Sequence, residues 1–242
     1  MQQGPKGKSC SVWPSIPLRT PLNFDTFKRF SFPQFIMASV IGLTGTTVVF
    51  YKNERYLVDP EVYEPAEDTF FLADNVMNCV GKRVLELGTG CGLIAVRAAK
   101  QGGQVVATDI NKKALECAKK NALAHGVLSR VDFRLGDLFD PVRGKRFDLI
   151  LFNPPYLPEV PHTGKSIIDR AWDAGMNGRA VIDPFVDELP DHLTKNGHAL
   201  FIQSSLSTPE KTVQKLAERN FTIEIKQKKM PFEKLYLFDA YR

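Results

Sequence analysis

The tetrapeptide Asn153-Pro154-Pro155-Tyr156 holds the residue types in this chain best suited to chemistry. It follows Phe147–Phe152, a nearly all-apolar run that reads as a central parallel strand buried on both faces. Open α/β sheets place ligands at the carboxyl ends of such strands. The Asn153 side-chain oxygen can accept one N–H, and the Pro154 carbonyl can accept another. Two acceptors converging on one planar amide or amine nitrogen reward localisation of its lone pair in a transition state. The prolines fix φ, so Pro154 and Pro155 aim the carbonyl in advance. Tyr156 can lie against the planar group. The competing reading is a strand-ending Pro-Pro turn with a surface tyrosine.

A second constellation lies upstream. Glu86-Leu87-Gly88-Thr89-Gly90-Cys91-Gly92 follows one apolar run and precedes a helical one. Gly88 and Gly90 let backbone approach a ligand closely at a strand end. The spacing is not the G-x-G-x-x-G of dinucleotide enzymes, and an acid stands just before the loop. The next strand ends in Asp109, whose carboxylate can accept from both hydroxyls of a ribose or can cap the following helix. Asp137-Leu138 follows the third strand. That pair can hold adenine, the carboxylate taking the exocyclic amine and a backbone N–H reaching a ring nitrogen, or it can be an ordinary turn. Together these features describe an S-adenosylmethionine site. The sulfonium methyl would then be the group delivered to nitrogen at Asn153. No strong general base is needed, because the nitrogen becomes acidic once methylated.

Strands and helices must alternate to hold these groups. Thr46 to Val58 reads as a β-hairpin turning through Lys52-Asn53-Glu54-Arg55. Asp68 to Val80 has helical spacing. Strands follow at Arg83–Leu87, Gln104–Asp109, Val131–Leu135, Phe147–Phe152 and Ala199–Gln203. Helices are expected over Leu93–Lys100, from an Asn111 cap to about His125, over Gly178–Leu193, and from Pro209 to near Asn220. Phe221–Gln227 and Leu235–Tyr241 are too close together for a helical crossover and predict an antiparallel hairpin. The fold class is α/β, a seven-stranded, mostly parallel Rossmann-like methyltransferase sheet.

With 242 residues, 43% hydrophobic and 24% charged, the chain suits one globular domain with a full core. The net charge of +5 is weak grounds for direct nucleic-acid binding. Cys10, Cys79, Cys91 and Cys117 lack C-x-x-C spacing and no histidine set matches them, so no metal site is expected. Scattered single cysteines suit a reducing, cytoplasmic setting. The apolar stretch from Phe35 to Phe50 is too short and too interrupted to span a membrane. Residues 1–36 read as a disordered extension rather than an Arg-rich transit peptide, and Met37 is a second candidate start. Residues 37–242 form the domain, with the hairpin over 46–60 and the catalytic core over 61–242.

The loop Glu86–Gly92 with Asn153–Tyr156 resembles the amino-methyltransferases, which act on DNA, RNA or protein glutamine. Val62-Tyr63-Glu64-Pro65-Ala66-Glu67-Asp68-Thr69 is similar to the start of the archaeal and eukaryotic HemK-like branch. Ala171-Trp172-Asp173-Ala174-Gly175-Met176-Asn177-Gly178-Arg179 resembles that branch's A-W-x-G-G-x-[DN]-G-R segment, with Ala174 where glycine is usual. The resemblance implies a cytosolic enzyme that methylates the Gln of the Gly-Gly-Gln motif in class I peptide release factors. It implies cofactor contacts at Thr69, Glu86, Gly88, Asp109, Asp137, Leu138 and Asn153. It also implies a small zinc-binding activator of the Trm type, for which Val131–Leu135 is the expected docking strand. Glu67 and Asp68 stand equally well as site residues or as acids at a helix N-terminus. Trp172 reads as a core aromatic.

The main alternative is a nucleic-acid amino-methyltransferase acting on adenine. Such an enzyme must extrude its base and read the flanking sequence, and no recognition domain or aromatic-rich basic groove is evident after Met37. Lys226, Lys228 and Lys229 read as a solvated hairpin. A non-catalytic cofactor-binding scaffold is the third reading, and the intact acceptor at Asn153 argues against it.

Overall fold

The computed structural model describes residues 40–41, 45–76, 78–156, 175 and 177–242. All of them fall in the compact unit Met37–Arg242, and the expected extension over 1–36 lies outside them. β1 (Val40–Ile41), β2 (Thr47–Tyr51) and β3 (Glu54–Val58) form a small antiparallel sheet. The β2–β3 turn is shorter than expected. Lys52 and Asn53 alone make it, with φ of 47° and 64°, the left-handed pair that suits a two-residue hairpin. Glu54 and Arg55 already pair with Tyr51 and Phe50.

Next come α1 (Glu67–Asn75), β4 (Arg83–Leu87), α2 (Leu93–Lys100), β5 (Gln104–Asp109), α3 (Lys112–Ala124), β6 (Val131–Leu135) and β7 (Phe147–Phe152). The second half adds α4 (Ile182–His192), β8 (Leu193–Ser204), α5 (Pro209–Glu218), β9 (Thr222–Lys229) and β10 (Lys234–Tyr241). The large sheet has the order β6-β5-β4-β7-β8-β10-β9. Only β10 runs against the rest, pairing antiparallel with β8 and β9. The expected seven-stranded architecture and its closing hairpin are therefore present.

The apolar run of β7 is explained by its two faces. Leu149 and Leu151 enter the core under α1, α2 and α3, while Ile150 and Phe152 enter the core under α4 and α5. Val84 and Leu85 of β4 divide in the same way. Two buried layers leave no face for polar residues.

Three expected boundaries shift. α1 stops at Asn75 instead of Val80: the Asn75 amide donates to the Phe71 carbonyl at 2.8 Å, Val76 is extended, and Val80 is exposed. α4 starts at Ile182, because Gly178 has φ of 69° and breaks the helical run before it. β8 starts at Leu193, well ahead of Ala199; the turn-like Lys195-Asn196-Gly197 is absorbed in a register shift between the Phe147↔Leu193 and Leu149↔His198 pairings. Among the described residues no helix is long and apolar enough to cross a membrane.

Candidate active site

Strand order reverses between β4 and β7, since β5 and β6 lie on one side and β8 on the other. That reversal opens a crevice at the carboxyl ends of the strands. A cavity of about 290 Å³ occupies it. Thr69, Glu86, Gly88, Gly90, Asp109, Asp137, Leu138, Asn153, Pro154, Pro155 and Tyr156 all line this one cavity. The glycine loop and the tetrapeptide thus meet because β4 and β7 are hydrogen-bonded neighbours, with Glu86 opposite Leu151 and Leu87 opposite Phe152.

The glycine loop is built for close approach. Gly88 and Gly90 have φ of 62° and 55°, and a Cβ on Gly90 would meet nothing within 4 Å. Gly92 turns the chain into α2 at φ 84°, and a Cβ there would stand 2.7 Å from that of Ala118. The loop is fastened by Thr89 N donating to the Thr108 carbonyl and Gly90 N donating to Asp109 Oδ2, both at 2.9 Å.

Two carboxyl groups face the cavity from this floor. Glu86 is almost wholly buried, and Thr89 Oγ1 donates to its Oε2 at 2.6 Å. Burial pushes its pKa up to about 8, opposed by the Thr89 bond and reinforced by the charge of Asp109. Asp109 is also raised by burial, against bonds from backbone N–H groups. Its Oδ1 accepts from Asn111 N at 2.8 Å, while Asn111 caps α3 by accepting from Lys113 N at 2.9 Å. Asp109 therefore shapes the start of the helix and lines the cavity at once.

At the far wall the Asn153 amide is held from one end only. Nδ2 donates to Thr69 Oγ1 at 3.2 Å. Oδ1 is buried and has no hydrogen-bond partner among the described residues. An unsatisfied buried acceptor is costly and is expected where a ligand donor belongs.

The buried carboxylate of Asp68 organises this wall, as one of the two readings of the Glu67-Asp68 pair anticipates. It accepts from Tyr156 Oη at 2.9 Å and from Tyr63 Oη at 3.1 and 3.2 Å. Thr69 N and Oγ1 donate to it at 2.6 and 3.2 Å. Burial first, and the Asp68 charge second, raise the pKa of both tyrosines far above the ordinary phenol value. Glu67 instead pairs with Lys228 on β9. Lys226 reaches Asn75 of α1, so this part of the basic run is tied to the protein itself.

Sequence reasoning gave Tyr63 no individual role and missed Gly178. A Cβ on Gly178 would lie 2.4 Å from the Tyr156 carbonyl oxygen, so only glycine lets this segment pass behind the tetrapeptide. Arg179, buried next to it, donates to the Ser207 and Thr208 carbonyls at 2.8 and 2.7 Å and pairs with Asp183 at 2.7 Å. The A-W-x-G-G segment was the available signal. Its Trp172 and Ala174 lie outside the described residues.

The sheet order and the crevice define a class I methyltransferase fold. The family model described as "Methyltransferase small domain" matches residues 66–230. A Methanocaldococcus jannaschii protein assigned as an N5-glutamine methyltransferase is 44% identical over 198 residues, covering 81% of this chain and 99% of its own. Human methyltransferase HEMK2 is 32% identical over 166 residues, covering 64% of this chain and 77% of its own. Among solved structures, Mtq2 from E. cuniculi, in a Mtq2–Trm112 complex that methylates the translation termination factor eRF1, superposes with a TM-score of 0.58 at 28% identity. It covers 75% of this chain and 99% of that one. The chain belongs to the small-domain methyltransferase family, within its protein N5-glutamine methyltransferases.

Proposed function

We propose that this protein transfers a methyl group from S-adenosylmethionine to the side-chain nitrogen of the Gln in a Gly-Gly-Gln motif of a class I peptide release factor. The observation that carries the proposal is the buried, unpartnered Oδ1 of Asn153, a residue that lines the cavity floored by Glu86 and Asp109. The residues present suit the cofactor. The open space at Gly90 admits a ligand against the backbone, and the carboxyl groups suit its hydroxyls and its positive charge. Asp109 would hold the ribose, Asp137 and Leu138 the adenine, and Thr69, Glu86, Gly88 and Gly90 the remainder. When bound, the cofactor supplies an electrophilic methyl on sulfonium.

The tetrapeptide does the rest. Asn153 Oδ1 and the Pro154 carbonyl accept the two N–H groups of the glutamine amide. Gripping both hydrogens turns the nitrogen lone pair out of conjugation and toward the methyl. That nitrogen would take the methyl from the bound cofactor, which would leave as the thioether, and the proton displaced from nitrogen would pass to water. Tyr156 flanks the flat amide and sets its plane. Residues 61–242 act as the catalytic core, with the 46–60 hairpin packed beside it.

A small zinc-binding activator of the Trm type is part of the proposal. β6 is the terminal strand of the sheet, and Leu135 and Leu128 are exposed beside it. A partner strand added there would pair its free backbone row and cover those side chains. We place the complex in the cytoplasm, where release factors work.

The test is incubation with labelled cofactor and either release factor or DNA, with and without the activator. Label on the Gln of Gly-Gly-Gln is the expected result. Label on adenine would make the protein a nucleic-acid enzyme, and binding without transfer would make it a scaffold.

A further inference from the structure

We infer that Asp68 and Thr69 are positioning residues: together they decide which end of the Asn153 amide faces the cavity. The inference rests on the reading of Asn153 as the acceptor for the substrate nitrogen. An asparagine amide has two ends of nearly the same shape and opposite character, an acceptor oxygen and a donor nitrogen. Rotation by half a turn exchanges them. With nitrogen outward, the site would present N–H to N–H and could not grip an amine. Something behind Asn153 must therefore enforce oxygen outward.

That something is Thr69 Oγ1, 3.2 Å from Asn153 Nδ2. A hydroxyl alone cannot impose a direction, because it donates or accepts as its neighbours require. Asp68 removes the choice. Its Oδ1 lies 3.2 Å from Thr69 Oγ1 and takes the hydroxyl proton. The Thr69 lone pair is left facing Asn153, and only the N–H end of the amide satisfies it. The same Oδ1 accepts from Thr69 N at 2.6 Å, which locks the threonine backbone to the carboxylate. The Tyr63 and Tyr156 hydroxyls also point into Asp68. All these bonds run toward Asp68, so the polarity of the relay is fixed from carboxylate to hydroxyl to amide, and the amide oxygen is the end left for a ligand donor. This is one buried carboxylate on α1 setting two residues of the tetrapeptide that follows β7.

The test is Thr69→Val, which keeps the shape and removes the hydroxyl, compared with Thr69→Ser, which restores it. Thr69→Val is expected to lower kcat on release factor about fivefold, the scale of one hydrogen bond, measured at saturating cofactor because Thr69 also lines the cofactor cavity. Thr69→Ser is expected to recover most of the loss. Thr69→Val combined with Asn153→Ala should be no worse than Asn153→Ala alone, since the relay acts only through that amide. Where valine lowers the unfolding temperature, Thr69→Ala carries the same expectation. An independent readout needs no substrate: the two Asn153 Nδ2 proton resonances should be well separated in the unmodified protein and draw together in Thr69→Val. Wild-type kcat with unchanged resonances overturns the inference, as does a loss confined to cofactor affinity or additive losses in the double variant. No transfer to release factor by the unmodified protein counts against the proposed function, and the resonances still decide the relay.

Discussion

The Tyr156 hydroxyl donates to Asp68 Oδ2 at 2.9 Å, across 88 residues of sequence. The last residue of the tetrapeptide is thus anchored to the first turn of α1, and its ring cannot swing away from the cavity without breaking a bond to a buried carboxylate. Tyr156→Phe keeps the ring and removes the anchor. Turnover of the protein substrate should fall about three- to tenfold, with cofactor affinity unchanged. Steady-state kinetics with calorimetry of cofactor binding will separate the two quantities. Unaltered kinetics would mean that ring packing alone holds the residue.

Asn153→Ala removes the unpartnered acceptor of a cavity-lining residue. Transfer should drop roughly a hundredfold or more, the scale seen when one preorganised transition-state contact is lost. Cofactor affinity should stay close to that of the unmodified protein. Equal turnover by the two proteins would refute the mechanism.

Asp109→Ala should act on binding. The carboxylate lies in the cavity floor and also fastens Gly90 and Asn111. Loss of charge-assisted hydrogen bonds predicts cofactor affinity about ten- to a hundredfold weaker. Calorimetry of cofactor binding checks this, and a change in kcat at saturating cofactor with no change in Kd would assign Asp109 a different task.

Glu86 predicts a pH dependence of stability. Its carboxyl, pushed up to about 8 by burial, holds a proton in the folded protein where an unfolded chain, near the ordinary 4.5, has lost it. Between those values the native state binds more protons, so stability from this group is full below about 4.5 and declines as pH rises toward 8. Urea titrations from pH 5 to 8 should show this slope in the cofactor-free protein and a flatter one in Glu86→Gln. Parallel slopes would remove Glu86 as the cause.

Asn121, on α3, is buried and reads three backbone groups. It accepts from Leu57 N at 2.9 Å and donates to the Leu57 and Cys91 carbonyls at 2.7 and 2.8 Å. β3, α3 and the glycine loop are joined through this one side chain. Asn121→Ala removes all three bonds, leaving the Leu57 carbonyl only Cys117 Sγ at 3.2 Å, and should cost about 2–4 kcal/mol of unfolding free energy, measured by urea denaturation. A loss below about 1 kcal/mol would show that the hairpin is held by packing alone.

Much of this molecule was legible in its residues. β4, β5, β6 and β7 lie where the apolar runs place them, because period and flanking turn residues are local signals. Most cavity-lining residues were legible for a related reason: apart from Thr69 on α1, those named above sit at or just after a strand end, and the alternation of strands and helices brings those ends to one edge. What was not legible is what depends on distant partners. Nothing near Asp68 in the sequence says that Tyr156 will reach it. Gly178 looks like any turn glycine until the Tyr156 carbonyl is seen behind it. The extent of β8 is hidden because Lys195-Asn196-Gly197 has turn chemistry and falls in a register shift, with pairing to β7 on either side of it.

The position of β10 has a consequence for how the protein is made. β10 is synthesised after β9 yet lies between β8 and β9. β9 therefore has no seat when it emerges, and the outer edge of β8 stays open until the later strand arrives to separate them. Leu235, Leu237 and Phe238, which close both cores, come with that late strand. Assembly must wait for a non-local step, and an interrupted or stalled chain leaves a long, sticky border exposed to other chains.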